Sequence, residues 1–156
     1  MDSQEARDTV LKLQTESMDE HDAAWELLRP LGAAVVPYLV EAYPRFKKWR
    51  GRNALVYHAT RYARSSDEAF RLGILALNDK ATVVRYRACA LLAYSQRREA
   101  IDLLKPLLSH SDEPTRQDAA AAIDALMRRN HHHFHDRDHT DRLFWVVNDE
   151  DRAGGA

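Results

Sequence analysis

The stretch NHHHFHDRDH places five histidines, His131, His132, His133, His135 and His139, within nine residues, with Asp136 and Asp138 between them. Imidazole and carboxylate at that density can bind zinc or nickel. A structural zinc site uses four ligands at fixed spacing, and no second ligand pair stands out elsewhere in the chain. The tract therefore reads as a polar segment covering the last helices, with His131, His133 and His135 as weak candidate ligands and no cofactor expected. The single cysteine, Cys89, lies in RACALL among alanines and reads as a small core residue, not a nucleophile. His58 and Asp67 flank a knot of cations, but nothing sets them in a triad. The chain has neither a glycine-rich phosphate loop nor a nucleophile elbow. No catalytic residue is assigned, and the chain is not expected to be an enzyme.

The elements that position these residues read as short helices. With 45% hydrophobic and 30% charged residues, and only five glycines and five prolines in 156, one all-α domain with a sizeable core is expected. Helical spacing marks 3–17, 22–28, 33–43, 49–63, 66–78, 82–95, 99–109 and 113–129, eight helices with short connections. Pro30 and Gly32 punctuate the second junction, Pro44 closes the third helix, and Pro114 sits in the first turn of the last. Ser66 is placed to cap the helix that follows it. No apolar run reaches the ~20 residues that span a bilayer, so no membrane partner is expected. The polar opening MDSQEARDTV shows no secretory pattern, and with one cysteine this favours the cytoplasm.

An internal period is also present. At an offset of 31, Glu68 falls on Glu99, Leu72 on Leu103, Arg85 on Arg116, Ala88 on Ala119 and Ala90 on Ala121. At an offset of 33, Val36 meets Ala69, Leu39 meets Leu72 and Arg52 meets Arg85. Helix pairs near 3–30, 33–64, 66–96 and 99–129 follow, the first divergent. Single pairs leave an apolar face that only stacking can bury.

The recurring residues are Leu31-Gly32 and Val35 to Leu39, then Asn78-Asp79, Val84-Arg85 and Ala88, then Asp112, Thr115-Arg116 and Ala119 to Ala121. Over about residues 20–128 this pattern resembles HEAT repeats. The first repeat lacks the loop acid and has PRFKKWRGR instead, and Thr115 stands where valine is usual. The resemblance implies a short right-handed α-α superhelix, with a concave side lined by the second helix of each pair. It also implies that Arg85 and Arg116 are scaffold residues tying helix starts to loop acids, with Asp79 and Asp112 as acceptors. HEAT-like metal hydroxylases carry repeated His-Glu pairs, which this chain lacks.

On the second helices, Arg50, Tyr57, Arg61, Arg87 and Tyr94 fall on one strip, with Arg64 and Arg98 near its edge. Arginine and tyrosine are enriched where partners bind. Trp25 and Trp49 read as packing residues, although Trp49 beside Lys47, Lys48 and Arg50 can anchor a contact. The expected partner-binding set is Trp49, Arg50, Tyr57, Arg61, Arg87, Tyr94 and Arg98. After the repeats, 131–148 reads as a cap in which Leu143 to Val147 fold back over the last pair, and 149–156 as a disordered tail.

Net charge is −1 but segregated: −5 over 1–30, +6 over 31–64, +3 over 65–98, −2 over 99–130 and −3 over 131–156. Such zoning suits a docking surface. Small bacterial HEAT-like proteins, which the chain resembles in size, include immunity proteins that act as antitoxins by binding a cognate toxin. A protein partner such as a toxin domain is the first expectation. A nucleic acid held on the basic middle is the second, weakened by the acidic flanks and a pI near 6.7.

Overall fold

A computed structural model describes residues 1–154, with side chains through Arg152. Its elements are α1 (Ser3–Leu11), α2 (Met18–Leu28), α3 (Val36–Ala42), α4 (Trp49–Ala59), α5 (Asp67–Ala76), α6 (Thr82–Ser95), α7 (Ala100–Leu104), α8 (Glu113–Met127) and α9 (Glu150–Gly154). No strand occurs among the described residues, and no helix there is long and apolar enough to cross a membrane. The fold is all-α and built from repeated helix pairs.

Local chemistry sets the helix starts. The Asp2 carboxylate accepts from the Glu5 amide at 2.8 Å while Glu5 accepts from the Asp2 amide at 3.1 Å, a reciprocal cap on α1. Ser17 and Ser66 accept from the Glu20 and Ala69 amides, capping α2 and α5. The Ser17 cap starts α2 four residues earlier than the apolar pattern suggests. Prolines shape several ends: Pro30, Pro44 and Pro106 lie in 3-10 turns, so the expected helix over 99–109 divides into α7 and a tighter turn from Lys105 to Ser109. Pro106 has no amide hydrogen to continue the α pattern there.

Each pair packs internally, α1 on α2, α3 on α4, α5 on α6 and α7 on α8. Across pairs, α1, α3 and α5 form one layer, and α4, α6 and α8 the other. One core runs through both, from Val10 through Leu39, Leu55 and Leu91 to Leu126 and Phe134. Burying each such side chain contributes about 1.5–3 kcal/mol. Close approach depends on small residues. Ala88, Ala119 and Ala122 are sealed on α6 and α8, and a Cβ on Gly73 of α5 would meet Leu91 Cδ2 at 2.5 Å.

Three arginines stitch the stack. Nη1 of Arg52, Arg85 and Arg116 each donates to the carbonyl six residues earlier, Phe46, Asp79 and His110, so each braces its own inter-helix loop. Arg52 then reaches into the next loop, where Nε and Nη2 donate to Asp79 Oδ2 and Oδ1 at 2.8 and 3.1 Å. Arg85 repeats the reach, donating to Asp112 at 3.1 Å and to Thr115 at 2.9 Å. Arg116 has only loop carbonyls, of His110 and Ser111. Asp79 thus accepts from Arg52, one repeat earlier than the Arg85 side chain, while Arg85 takes Asp112. Thr115, sealed and hydrogen-bonded to Asp112 at 2.6 Å, occupies the usual valine position because it belongs to this network.

The C-terminal segment departs from expectation. Trp145 packs against Tyr94, His131, Phe134 and His135, so the segment crosses the inner face of α6 as well as the end of the stack. Leu143, Phe144 and Val146 remain 53%, 59% and 43% exposed, so most of the apolar stretch is not covered. Nor does disorder begin at 149. Glu150–Gly154 is helical, and Asp151 is buried. Its carboxylate accepts from the Val147 and Asn148 amides at 2.9 Å, from the Tyr94 hydroxyl at 2.8 Å and from Arg64 at 3.2 Å. Residues 155–156 lie outside the described residues.

A candidate binding groove on the inner helix face

Second helices α2, α4 and α6 line an open groove of about 660 Å³. Residues of α4 facing it are spaced at one helical face: Trp49 and Arg50, then Asn53 and Ala54, then Tyr57 and His58, with Arg61 in the following 3-10 turn. Arg87 enters from α6, and His21, Asp22 and Trp25 from α2. The structure therefore brings five of the expected residues together: Trp49, Arg50, Tyr57, Arg61 and Arg87.

Their chemistry is exposed and cationic. Trp49 and Tyr57 are 41% and 50% exposed. The Arg50 guanidinium lies 4.9 Å from the Trp49 ring centroid, and that of Arg87 5.0 Å from Tyr57. Arg87 also donates to Asn53 Oδ1 at 3.2 Å, so two α4 side chains hold it in place. Among the described residues, none of Arg50, Arg61 and Arg87 forms an ion pair, whereas Arg52, Arg64, Arg85 and Arg97 all do. The basic middle of the sequence thus contains cations held in ion pairs, Arg52, Arg64, Arg85 and Arg97, and cations facing the groove without one, Arg50, Arg61 and Arg87.

The floor is aromatic. His58 is buried and stacks on Trp25 with centroids 3.7 Å apart. Its Nε2 lies 2.9 Å from Nε2 of His21, whose Nδ1 lies 3.0 Å from Asp22. With His21 donating to Asp22, His58 Nε2–H donates to His21, and the buried His58 Nδ1 is left without a partner. Burial, then the charges of His21 and Arg61, push the His58 imidazolium down to about 3, so the ring is neutral at physiological pH. A neutral ring stacked on tryptophan and blocked at Nε2 is a packing surface.

Two expected contact residues do not belong to this groove. Tyr94 is fully buried beneath the C-terminal segment, with Arg64 3.9 Å over its ring and its hydroxyl bonded to Asp151 and Asn148. Burial raises its pKa further, and the Asp151 hydrogen bond adds to that. Arg98 is exposed past the end of α6, where Gln96 turns left-handed at φ 55°, so extending the strip from 94 to 98 fails. Arg64 is held by Glu150 and Asp151. Beyond Arg61 and Arg87 the groove narrows into a cleft of about 90 Å³ walled by Trp145, Val146 and Val147.

His21, Trp25 and His58 were not singled out from sequence as groove residues. The offset of 33 carries a usable signal: it takes Ala54 of the strip to His21, and it pairs Trp25 with His58. The weak metal candidates do not converge. His131 is bonded to Trp145 O at 2.9 Å and approached by Arg64, while His135 packs edge-on against Trp145. Burial lowers the His131 pKa to about 4. Cys89 is sealed and its thiol is pushed up to about 12, by burial first and Asp118 second, which fits a core residue.

The fold is an all-α stack of helix pairs with a groove along its second helices. A family model described as HEAT repeats matches residues 70–132, spanning α5 after its first turn, α6, α7, α8 and the turn at His131. The match supports the HEAT-repeat family, whose repeats in general mediate protein interactions and are non-catalytic. No curated protein matches the chain.

Proposed function

We propose that the chain is a non-catalytic binding module whose inner groove takes an acidic segment of a partner protein. Within that class, an immunity protein that neutralises a cognate toxin by covering it is the role we assign. The observation that carries the reading is the convergence of Arg50, Arg61 and Arg87, without ion-pair partners among the described residues, on a groove flanked by exposed Trp49 and Tyr57. Aromatic and arginine anchors in a concave site supply most of the affinity in protein complexes. Glu16 and Asp22 on the same rim would repel an acidic partner in the wrong register.

A second reading has one observation in its favour. Lys47, Lys48, Arg50 and Lys80 surround a shallow depression beside Trp49, a pattern that also suits a nucleic-acid backbone. Affinity purification from the native host, followed by reconstitution with the purified candidate, separates the two. A single partner that is toxic when expressed alone, binds one-to-one and is neutralised by co-expression of this chain supports the immunity role. A gel shift with duplex DNA or RNA that weakens steeply with salt, and no protein partner, replaces it with the second reading.

A further inference from the structure

Beyond the groove, the histidine tract and α8 build a different site. Ligating atoms of Asp124, His133 and His139 lie within 4.8 Å of one another, and those of His133, Asp136 and Asp141 form an overlapping group. His139 Nε2 sits 2.6 Å from Asp124 Oδ2, His133 Nε2 3.8 Å from Asp141 Oδ1, and the two imidazoles stack with centroids 4.2 Å apart. Asp136 is already committed: its oxygens accept from the Thr140 amide and hydroxyl and from the Asp141 amide, which fixes the turn. Asp124, His133 and His139 remain as one three-ligand group, and Asp141 stands beside His133 at 3.8 Å as a fourth donor.

Two further features single this set out from an ordinary polar surface. His133 is buried, yet its Nδ1 has no hydrogen-bond partner, so the protein alone leaves that ring under-satisfied. His139 and Asp141 both hold left-handed backbone, at φ 54° and 62°, an uncommon conformation that histidine and aspartate tolerate better than most residues. We propose that Asp124, His133, His139 and Asp141 bind one divalent first-row ion, zinc by the chemistry of the donors, clamping the 136–141 turn onto α8. Mixed imidazole and carboxylate oxygen with four donors is a zinc set. Bonds of about 2.0–2.1 Å in a tetrahedron put ligand atoms roughly 3.3 Å apart, so Asp124, His133 and His139, now within 4.8 Å of one another, have to close by up to about 1.5 Å while the stacked imidazoles turn apart to aim both lone pairs at one ion. Asp141, with its side chain 84% exposed, is free to swing in.

The test uses the full chain without an affinity tag, stripped with a chelator and titrated with Zn2+ by calorimetry. The expected result is one ion per chain, with a rise in unfolding temperature on zinc addition. H139Q and D124N, each checked for native helicity, should weaken binding at least tenfold and abolish the rise. H132Q and H135Q should stay within twofold of wild type, because neither residue belongs to the set. No binding, or equal loss in H135Q and H139Q, would overturn the proposal and leave only adventitious chelation by the tract.

Discussion

Replacing Arg52 by alanine should be among the most damaging single changes in the scaffold. Its side chain is 8% exposed and its Asp79 partner 4%. The substitution removes the two-pronged pair to Asp79 and the donations to the Phe46 and Lys47 carbonyls. Asp79 would keep only the Tyr43 hydroxyl and the Ala81 amide as donors. Breaking a buried pair from one side costs about 3–5 kcal/mol. At 2–4 °C per kcal/mol for a chain of this size, the midpoint should fall by roughly 10 °C. The cost should also depend on pH. In the wild type, burial works to raise the Asp79 pKa, but Arg52 and Tyr43 outweigh it and the carboxyl stays below its usual value. Without Arg52, burial dominates, and the folded-state pKa rises above the unfolded value of about 3.9. The folded variant then holds its proton more tightly than the unfolded chain, so its deficit is largest near pH 7 and shrinks toward pH 4. Urea unfolding at both pH values measures this. A loss below about 1 kcal/mol at pH 7, the range of an exposed pair, would refute the reasoning.

Two further outcomes follow from the same geometry. Asp151→Ala should release the C-terminal segment, because it removes the acceptor shared by Tyr94, Arg64 and two amides; trypsin should then cut at Arg142 at least tenfold faster while the repeats stay helical. Unchanged cleavage would show that Trp145 packing alone holds the segment. The second concerns His58, whose pKa in the fold lies near 3 against 6.5 in a model peptide. Below pH 6.5 the unfolded chain takes up a proton that the folded ring refuses, so stability should fall as pH drops from 6.5 toward 3. His58→Phe, which keeps the stack on Trp25, should flatten that slope, and an unchanged slope would place its origin elsewhere.

Much of the fold was legible because it is periodic. Alanine spacing, the offsets near 31 and 33, and the Arg52, Arg85 and Arg116 series are local signals; the alanines mark close helix contacts, and each arginine braces the loop before its own helix. The groove was legible for the same reason: Arg50, Tyr57, Arg61 and Arg87 follow from one helical face carried across repeats. Tyr94 sits on that face too, but its surroundings are set by Asp151, 57 residues away, and no periodic rule extends to a segment outside the repeats. The 149–156 segment read as a disordered tail because the partners of Glu150 and Asp151, Arg64 and Tyr94, are distant in sequence. Arg98 failed for a local reason, the left-handed residue at 96 that ends α6.

The groove itself is tested most directly by the double charge reversal Arg61→Glu with Arg87→Glu. Both side chains are half-buried and unpaired with any described acid, so the change should leave the unfolding midpoint within about 2 °C of wild type, in keeping with substitutions away from core and cap. Affinity for the acidic partner should drop at least a hundredfold, since two anchors become repulsive. A midpoint that collapses while residual binding stays intact would contradict the account and make these arginines part of the scaffold.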